Sequence, residues 1–324
     1  MVSQFEEKEK KEKKEKKEPL VFFGTPALCL PYLEQLHNQF DIRLIVTQPD
    51  SKGGRRKQVI QPPVKIFALE HNIPVIQPHS FKEESIIETI SAVEPVLGVV
   101  IAYGKLIPKR IFRIPKCRTV NVHFSMLPLY RGAAPVQRGL ENGDPTSGIT
   151  IFEIVRKLDA GKIWAQKEMP FLPDDTTETV WKRMSEVGAP FLTDTIHNII
   201  SGTIQKQPQD HDRVTLAPPI LKEEGQVSWD LTAQQLYNKF RAFTPWPGLC
   251  CTVCGKMIKL TQIKPMDISH DQQPGDVFCM DKKSLQVCCG EGTVLEVFQL
   301  QPQGKKPMTP HCYCMGNQLP DCLK

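Results

Sequence analysis

The chain has 324 residues, of which 40% are hydrophobic and 24% charged, and its formal net charge is +5. Such a length allows two domains, and this balance is typical of a globular protein with a buried core. No apolar run approaches the roughly 18 residues that a membrane-spanning helix needs, and the amino terminus lacks the apolar stretch of a secretory signal. We therefore expect a cytosolic protein with no membrane association.

The first 18 residues differ in composition from the rest. Every residue from Glu6 to Glu18 is Lys or Glu. A nearly neutral tract of this kind cannot bury a core, so we predict a disordered tail at 1–18. An arginine-rich mitochondrial presequence is excluded, because such segments are poor in acidic residues.

From Leu20 onward, short apolar runs alternate with helical spacings, a pattern typical of an α/β domain with a mostly parallel sheet. Strands are predicted at 20–23, 42–48, 96–102 and 119–122, and helices at 28–36, 64–70 and 85–90. In such sheets, ligands bind beyond the carboxyl ends of the strands. The loops that follow these four strands are therefore the expected site.

The remainder of the chain predicts a second, smaller domain. Segment 205–220 holds three prolines and many polar residues, which favours a linker. A helix is predicted at 231–243, and the short strands and Gly or Pro turns after it are typical of a small β-barrel. The predicted organisation is a tail at 1–18, an α/β domain at 19–204, a linker at 205–220 and a barrel domain at 221–324.

Candidate reacting groups follow the fourth predicted strand. Asn121 and His123 are two residues apart at a strand end, so their side chains leave the same face. Acyl transfer to an amine needs a donor for the oxyanion and a group that moves protons, and an amide beside an imidazole supplies both. Asp159, in a glycine-containing turn, could orient and charge that imidazole. A hydrogen-bonded structural pair and an ordinary turn are the alternatives at this point.

Seven ordered segments carry a resemblance to a known family. They are FFGTP at Phe22, TQPDSKGGRRKQ at Thr47, VVIAYGKLIP at Val99, NVHFSMLPLYRGAAPVQRGLENGD at Asn121, GITIFEIVRKLDAGKI at Gly148, VSWDLTAQQLYNKFRAFTPWPG at Val227 and LQPQGKK at Leu300. Over residues 20–309 the chain resembles the methionyl-tRNA formyltransferases. Tetrahydrofolate formyltransferases in general share the Asn, His and Asp set, whereas RGAAPVQ, FRAFTPWPG and a carboxyl-terminal domain indicate the tRNA family.

The resemblance implies a Rossmann-like formyltransferase domain at 19–204 followed by an OB-like barrel. It also implies direct transfer of the formyl group of 10-formyltetrahydrofolate to the α-amino group of methionyl initiator tRNA. We further expect a monomer that needs no metal. Asn121 and His123 would hold the developing oxyanion, and Asp159 would keep His123 oriented.

The same resemblance implies folate contacts in two loops. They are Val100, Ala102, Tyr103, Gly104 and Leu106 in the first, and Ser125, Leu127 and Pro128 in the second. Backbone groups of the first loop would bind the pterin, and Tyr103 and Leu106 would add apolar contact. Simple packing is the alternative for these two side chains.

Basic residues predict the tRNA contacts. Lys52, Arg55, Arg56 and Lys57 lie in a Gly-Gly loop, and 105–118 holds further Lys and Arg without any acid. Both segments could neutralise phosphates near the site. By resemblance, the first loop enters the acceptor stem, and Arg55 is the matching arginine. A solvated basic loop is the alternative.

Other functions stay open. A formyltransferase for an amino sugar nucleotide would share the Asn121, His123 and Asp159 set but would not need the basic loop. A tRNA-binding protein without activity would not need the set at all. A nucleotide-dependent oxidoreductase is disfavoured because FGTP lacks the GxGxxG pattern. Zinc at Cys250, Cys254, Cys312 and Cys314 is disfavoured because neither pair has knuckle spacing.

Overall fold

A computed structural model describes residues 17–53, 58–320 and 322–323. The predicted tail therefore lies outside the described residues except for Lys17 and Glu18. The predicted tRNA contacts Arg55, Arg56 and Lys57 also lie outside them. Among the described helices, none is both long enough and apolar enough to cross a bilayer.

The strands are numbered here in chain order. They are β1 Pro19–Gly24, β2 Asp41–Val46, β3 Ser51–Gly53, β4 Gln58–Ile60, β5 Val75–Ile76, β6 Leu97–Ile101, β7 Thr119–His123, β8 Arg131–Gly132, β9 Thr146–Glu153, β10 Ile163–Pro170, β11 Leu216–Ala217, β12 Leu249–Val253, β13 Lys256–Ser269, β14 Val277–Met280, β15 Leu285–Cys288 and β16 Thr293–Pro302.

The α-helices are numbered in the same way. They are α1 Leu30–Gln39, α2 Pro63–Glu70, α3 Glu84–Ala92, α4 Lys109–Phe112, α5 Pro135–Asn142, α6 Thr177–Ser201, α7 Ala233–Phe243 and α8 Pro310–Cys314. Short 3-10 turns cover Ala27–Cys29, His211–Arg213, Lys222–Gly225 and Gly290–Gly292.

The largest sheet has seven strands in the order β10-β9-β7-β6-β1-β2-β5. The five strands from β7 to β5 in that order run parallel, and β9 runs antiparallel to β7. Successive residues of β1 from Leu20 to Phe23 are each at most 1% exposed, so both faces of this strand are covered. The loops after β1, β2, β6 and β7 therefore meet at one edge of the sheet.

This arrangement confirms the predicted α/β fold with a mostly parallel sheet. The four predicted strands correspond to β1, β2, β6 and β7, and the three predicted helices to α1, α2 and α3. The long helix α6 was not predicted, although Val180, Met184, Leu192 and Ile196 are buried at multiples of four residues. Its interior Pro190 argued against a continuous helix, because proline is unfavourable inside one.

A second, five-stranded antiparallel sheet lies in the carboxyl-terminal part, in the order β12-β13-β16-β15-β14. Its inward residues, such as Leu260, Val287 and Leu295, are at most 3% exposed. Helix α7 begins at the N-cap Thr232, whose side chain accepts a hydrogen bond from the Gln235 N–H. The predicted helix and the short strands after it are confirmed, and the OB-like arrangement of those strands stays a prediction.

Spatial proximity divides the described residues into two compact units. The first contains residues up to 123 together with 149–167 and 183–213, and the second contains 124–148, 168–182 and 214 onward. Within the first unit, the backbone of Gln207 exchanges hydrogen bonds of 2.7 and 2.8 Å with Ile163. The start of the predicted linker is therefore paired to strand β10.

Arg138 of helix α5 organises part of the second unit. Its guanidinium donates hydrogen bonds of 2.6 and 3.0 Å to the Glu224 carboxylate and reaches the carbonyl oxygens of Pro218 and Pro219. These bonds hold the pKa of Glu224 below its usual value. The RGAAPVQRG segment is therefore tied to the chain that leads into the carboxyl-terminal sheet.

Candidate active site

Strand β7 carries two of the three candidate reacting groups. It lies between β6 and β9, and its register sets Asn121 opposite Phe152 and His123 opposite Thr150 of β9. The His123 residue is 5% exposed, and its ring meets the Phe152 ring edge to face with centroids 6.4 Å apart. The imidazole is therefore held at the strand end by close packing.

Asp159 lies next to His123 despite the distance between them in sequence. The His123 Nδ1 and Asp159 Oδ2 atoms are 3.8 Å apart, and both side chains are at most 8% exposed. This distance is longer than a hydrogen bond. Because charges interact strongly where water is excluded, the carboxylate at this distance still stabilises a protonated imidazole.

The turn that carries Asp159 is shaped by its neighbours. Asp159 has a positive φ of 48°, a conformation that Asp tolerates better than most residues. A Cβ atom on Gly161 would lie 1.6 Å from the carbonyl oxygen of Glu153, so glycine is required there. The buried Gln209 side chain donates hydrogen bonds to the carbonyl oxygens of Asp159 at 2.8 Å and of Gly161 at 2.7 Å.

A cavity of about 730 Å³ in the first unit includes Asn121 and Asp159 in its lining. This volume is within the range of about 300–1,000 Å³ that is typical of small-molecule sites. Val100, Leu106 and Phe152 give it apolar walls. Leu106 is 81% exposed, so this large apolar side chain is available to a ligand.

The loop after β6 contains the other folate contacts predicted beside Val100 and Leu106. Ala102 and Gly104 have positive φ angles of 44° and 80°. The carbonyl oxygen of Tyr103 accepts hydrogen bonds from Thr25 Oγ1 at 3.1 Å and Gln48 Nε2 at 2.8 Å. These bonds fix the loop that borders the cavity.

The Tyr103 ring belongs to the hydrophobic core. It is 2% exposed and packs against the rings of Phe23 and Phe81, each at a centroid distance of 6.0 Å. Burial raises the pKa of its hydroxyl to about 12. The Tyr103 ring therefore packs in the core, which is the alternative that the sequence left open for this residue.

The second predicted folate loop, after β7, is compact. Ser125 is buried, and its hydroxyl donates a 2.6 Å hydrogen bond to the carbonyl oxygen of Leu129. Leu127 is 3% exposed, and the Leu127–Pro128 peptide bond is cis. These three residues shape the loop, and their contact with folate stays a prediction.

Strands β3 and β4, which flank the basic loop in sequence, pair antiparallel as a hairpin. Lys52 lies opposite Val59, which is 64% exposed. Before the hairpin, the Asp50 carboxylate accepts hydrogen bonds from Lys65 at 2.7 Å and Gln77 at 2.7 Å, and both bonds lower its pKa. The base of the hairpin is thus anchored, while Arg55, Arg56 and Lys57 lie outside the described residues.

Sequence reasoning did not identify Gln209 or Gln48 as supports of the site. Each bonds to a backbone carbonyl remote in sequence, so no local spacing could indicate it. Among the described residues, no group of three or more His, Cys, Asp or Glu side chains could hold a metal ion, and all 11 cysteines are free thiols.

Solved structures share this fold. A sugar 3N-formyltransferase, WlaRD, superimposes with a TM-score of 0.66 at 17% identity, covering 90% of this chain and 99% of its own. HypX from Aquifex aeolicus superimposes with a TM-score of 0.62 at 15% identity, covering 93% of this chain and 49% of its own. At such identities the likeness is one of fold alone.

Sequence comparison is more specific. The profile described as "Formyl transferase" matches residues 20–196, and "Formyl transferase, C-terminal domain" matches residues 219–318. The methionyl-tRNA formyltransferase of Caldicellulosiruptor saccharolyticus is 40% identical over 305 residues, 93% of this chain and 97% of that protein. Its counterpart in Enterococcus faecalis is 38% identical over 291 residues, 90% and 93% of the two chains. The chain therefore belongs to the methionyl-tRNA formyltransferase family.

Proposed function

We propose that this protein transfers the formyl group of 10-formyltetrahydrofolate to the α-amino group of methionyl initiator tRNA. The observation that carries the proposal is the pairing of His123 with Asp159 at 3.8 Å, beside a cavity whose lining includes Asn121 and Asp159. An imidazole beside a carboxylate, together with an amide donor in the lining of the cavity, suits acyl transfer from a folate to an amine.

The proposed reaction begins with attack of the α-amino nitrogen on the formyl carbon. Such amines titrate at about pH 7.7–8.0, so a useful fraction is uncharged at neutral pH. Attack gives a tetrahedral intermediate, and the Asn121 amide and protonated His123 donate hydrogen bonds to its oxyanion. The tetrahedral intermediate then collapses and the bond to folate N10 breaks. Protonated His123 gives its proton to that nitrogen, and the proton lost by the amine restores the imidazolium.

A folate co-substrate is supported by the chemistry of the cavity. Val100, Leu106 and Phe152 offer apolar walls to a flat ring, and the loop after β6 offers backbone groups. One HypX structure is described as a complex with tetrahydrofolic acid, and an N-formyltransferase from Helicobacter canadensis as a complex with folinic acid. These proteins share only the fold with this chain.

Methionyl-tRNA is favoured over an amino sugar nucleotide as the acceptor. WlaRD and the Helicobacter canadensis N-formyltransferase are 17% and 16% identical to this chain, whereas the Caldicellulosiruptor saccharolyticus methionyl-tRNA formyltransferase is 40% identical. The sequence segment with Lys52 and Arg55 is a basic feature that a sugar acceptor would not require.

The finer parts of the proposal are a monomeric state and a cytosolic location. Light scattering on the purified protein tests the first, because a monomer has a mass of 36.7 kDa. Fractionation of cells that produce the protein tests the second.

One assay tests the proposed function. The protein is incubated with labelled 10-formyltetrahydrofolate and either methionyl initiator tRNA or a UDP-amino sugar, with the His123→Ala protein as the control. We expect label in the methionyl ester of the tRNA and none in the sugar. Transfer to the sugar alone, or no transfer to either acceptor, would overturn the proposal.

A further inference from the structure

Basic side chains line the same cavity as Asn121 and Asp159. They are Lys82, Lys105, Lys109, Arg110 and Arg156, and all five are exposed. Among the described residues of the lining, Asp159 is the one carboxylate. The cavity therefore combines an apolar wall with a strongly positive rim.

Lys105 and Arg110 connect segment 105–110 of the rim to segment 78–84. The Lys105 Nζ lies 3.4 Å from the carbonyl oxygens of both Pro78 and His79. The Arg110 guanidinium donates to the carbonyl oxygen of Phe81 and pairs with Glu84 at 3.3 Å. An ammonium group has three donors, so Lys105 keeps at least one for a ligand.

The other three cations extend this charge around the opening. Lys82 follows Phe81 directly, Lys109 precedes Arg110, and Arg156 lies in the loop before Asp159. Charges of one sign around an apolar cleft raise the local concentration of an oppositely charged ligand. The ligand suited to this cavity combines an apolar body with several negative charges.

We propose that the site takes a folate with a polyglutamate tail and that the rim cations bind the tail. This inference rests on the proposed function and names the form of the co-substrate. Each added glutamate contributes one carboxylate, and the rim offers several cations within one cavity. The sequence assigned Lys105, Lys109 and Arg110 to tRNA phosphates, whereas their position in the cavity lining favours the folate tail.

The test measures equilibrium binding of 5-formyltetrahydrofolate, which is not turned over, with one glutamate and with five. An exposed ion pair changes an equilibrium constant by about 1.4- to fivefold, so several pairs give the longer tail an advantage of about tenfold. We expect this advantage to shrink as salt is raised from about 0.05 to 0.3 M. We also expect Lys82→Glu and Arg156→Glu each to reduce it by about threefold or more.

The matched control is Lys116→Glu. Lys116 is an exposed lysine of the same basic stretch, and it lies outside the lining of the cavity. We expect this variant to bind both forms of 5-formyltetrahydrofolate as the unchanged protein does.

Equal affinity for the two tail lengths, or an advantage that Lys82→Glu and Arg156→Glu leave intact, would overturn the inference. The inference would also be rejected if these variants raised KM for methionyl-tRNA but still bound the five-glutamate form more tightly by the same factor. The rim would then be a nucleic-acid contact. Formylation of methionyl-tRNA with the monoglutamyl co-substrate reports on the proposed function separately.

Discussion

The side chain of Gln209 supports the turn of Asp159 from 50 residues further along the chain, with a 2.8 Å hydrogen bond to the Asp159 carbonyl oxygen. The same amide nitrogen donates to Gly161 at 2.7 Å. Gln209 is 7% exposed, so water does not replace these bonds when they are lost. Gln209 is therefore a positioning residue for the carboxylate that faces His123.

Replacing Gln209 by Ala should lower kcat by about ten- to a hundredfold, because a small displacement of a catalytic group is costly in rate. Steady-state formylation measures the loss, and the pH profile of kcat should shift because the carboxylate moves relative to His123. Gln207→Ala is the control, since Gln207 is exposed and pairs through its backbone. A Gln209 variant with unchanged kcat and an unchanged pH profile contradicts the positioning role.

His123→Ala and Asn121→Ala should each lower kcat far more than they weaken folate binding, because both groups act on charge that exists only in the transition state. The expected loss is about a hundred- to a thousandfold. Rapid-quench kinetics measure kcat, titration with 5-formyltetrahydrofolate measures binding, and the exposed His311→Ala is the control. A variant that keeps more than about a third of kcat removes its residue from the mechanism.

Asp159→Asn should leave the fold intact and disable transfer. An amide can replace the shape of the carboxylate, yet it cannot stabilise a protonated imidazole by charge across 3.8 Å. Circular dichroism checks the fold, and formylation at neutral pH checks the chemistry. Near-normal turnover by the folded variant is the result that this mechanism cannot accommodate.

Arg55→Ala should sharply reduce kcat/KM for methionyl-tRNA and leave the folate dissociation constant unchanged, if its loop enters the acceptor stem. Lys52→Ala and Lys57→Ala should cause smaller losses that shrink as salt rises, because salt already weakens phosphate contacts. Formylation assays at two salt concentrations measure all three variants. Full activity of the Arg55 variant would reject the acceptor-stem assignment and reopen the amino sugar alternative.

Glu224→Gln should lower the free energy of unfolding by about 1–3 kcal/mol at neutral pH, because it breaks a charged hydrogen-bond pair with Arg138. The folded-state pKa of Glu224 is lowered, so its contribution is complete above the unfolded value of about 4.3. That contribution disappears as pH falls through the folded value. Urea unfolding at decreasing pH should show the free energies of unfolding of the two proteins converging. A difference that does not depend on pH would contradict the stabilising role of this ion pair.

The exposed Glu223 provides the control for this ion pair. It lies in the same 3-10 turn, so Glu223→Gln removes a charge without removing a bond to Arg138. We expect this variant to unfold as the unchanged protein does at each pH.

Local patterns predicted much of the α/β fold and the chemistry at the end of β7. Apolar runs indicated β1, β2, β6 and β7, because buried parallel strands need continuous apolar sequence. Strand geometry placed Asn121 and His123 on one face because they are two residues apart. A glycine-containing turn offered Asp159, and the resemblance then favoured its catalytic role over that of an ordinary turn. These predictions depend on neighbours in sequence or on a matched motif.

Long-range contacts were beyond such reasoning. Gln209 and Gln48 each bind the backbone of a distant loop. Nothing in the sequence distinguishes them from glutamines that make no such contact. Composition also does not show which basic residues at 105–118 line the cavity and which lie outside its lining. Lys105, Lys109 and Arg110 line the cavity, whereas Lys116 lies outside its lining. Tertiary structure, rather than charge density, decides which ligand each cation meets.

The contacts that Lys206, Gln207 and Gln209 make with the active-site turn and with strands β9 and β10 limit where the chain can be divided. A fragment that ends at residue 204 would keep His123 and Asp159 but would lose Gln209 and the Gln207–Ile163 pairing. It would also lose Lys206, whose ammonium pairs with Glu153 and lies 5.3 Å from the centre of the Trp164 ring. Limited proteolysis within 205–209 should therefore inactivate the protein without removing any reacting group, and any shortened form intended for study should extend at least to Arg213.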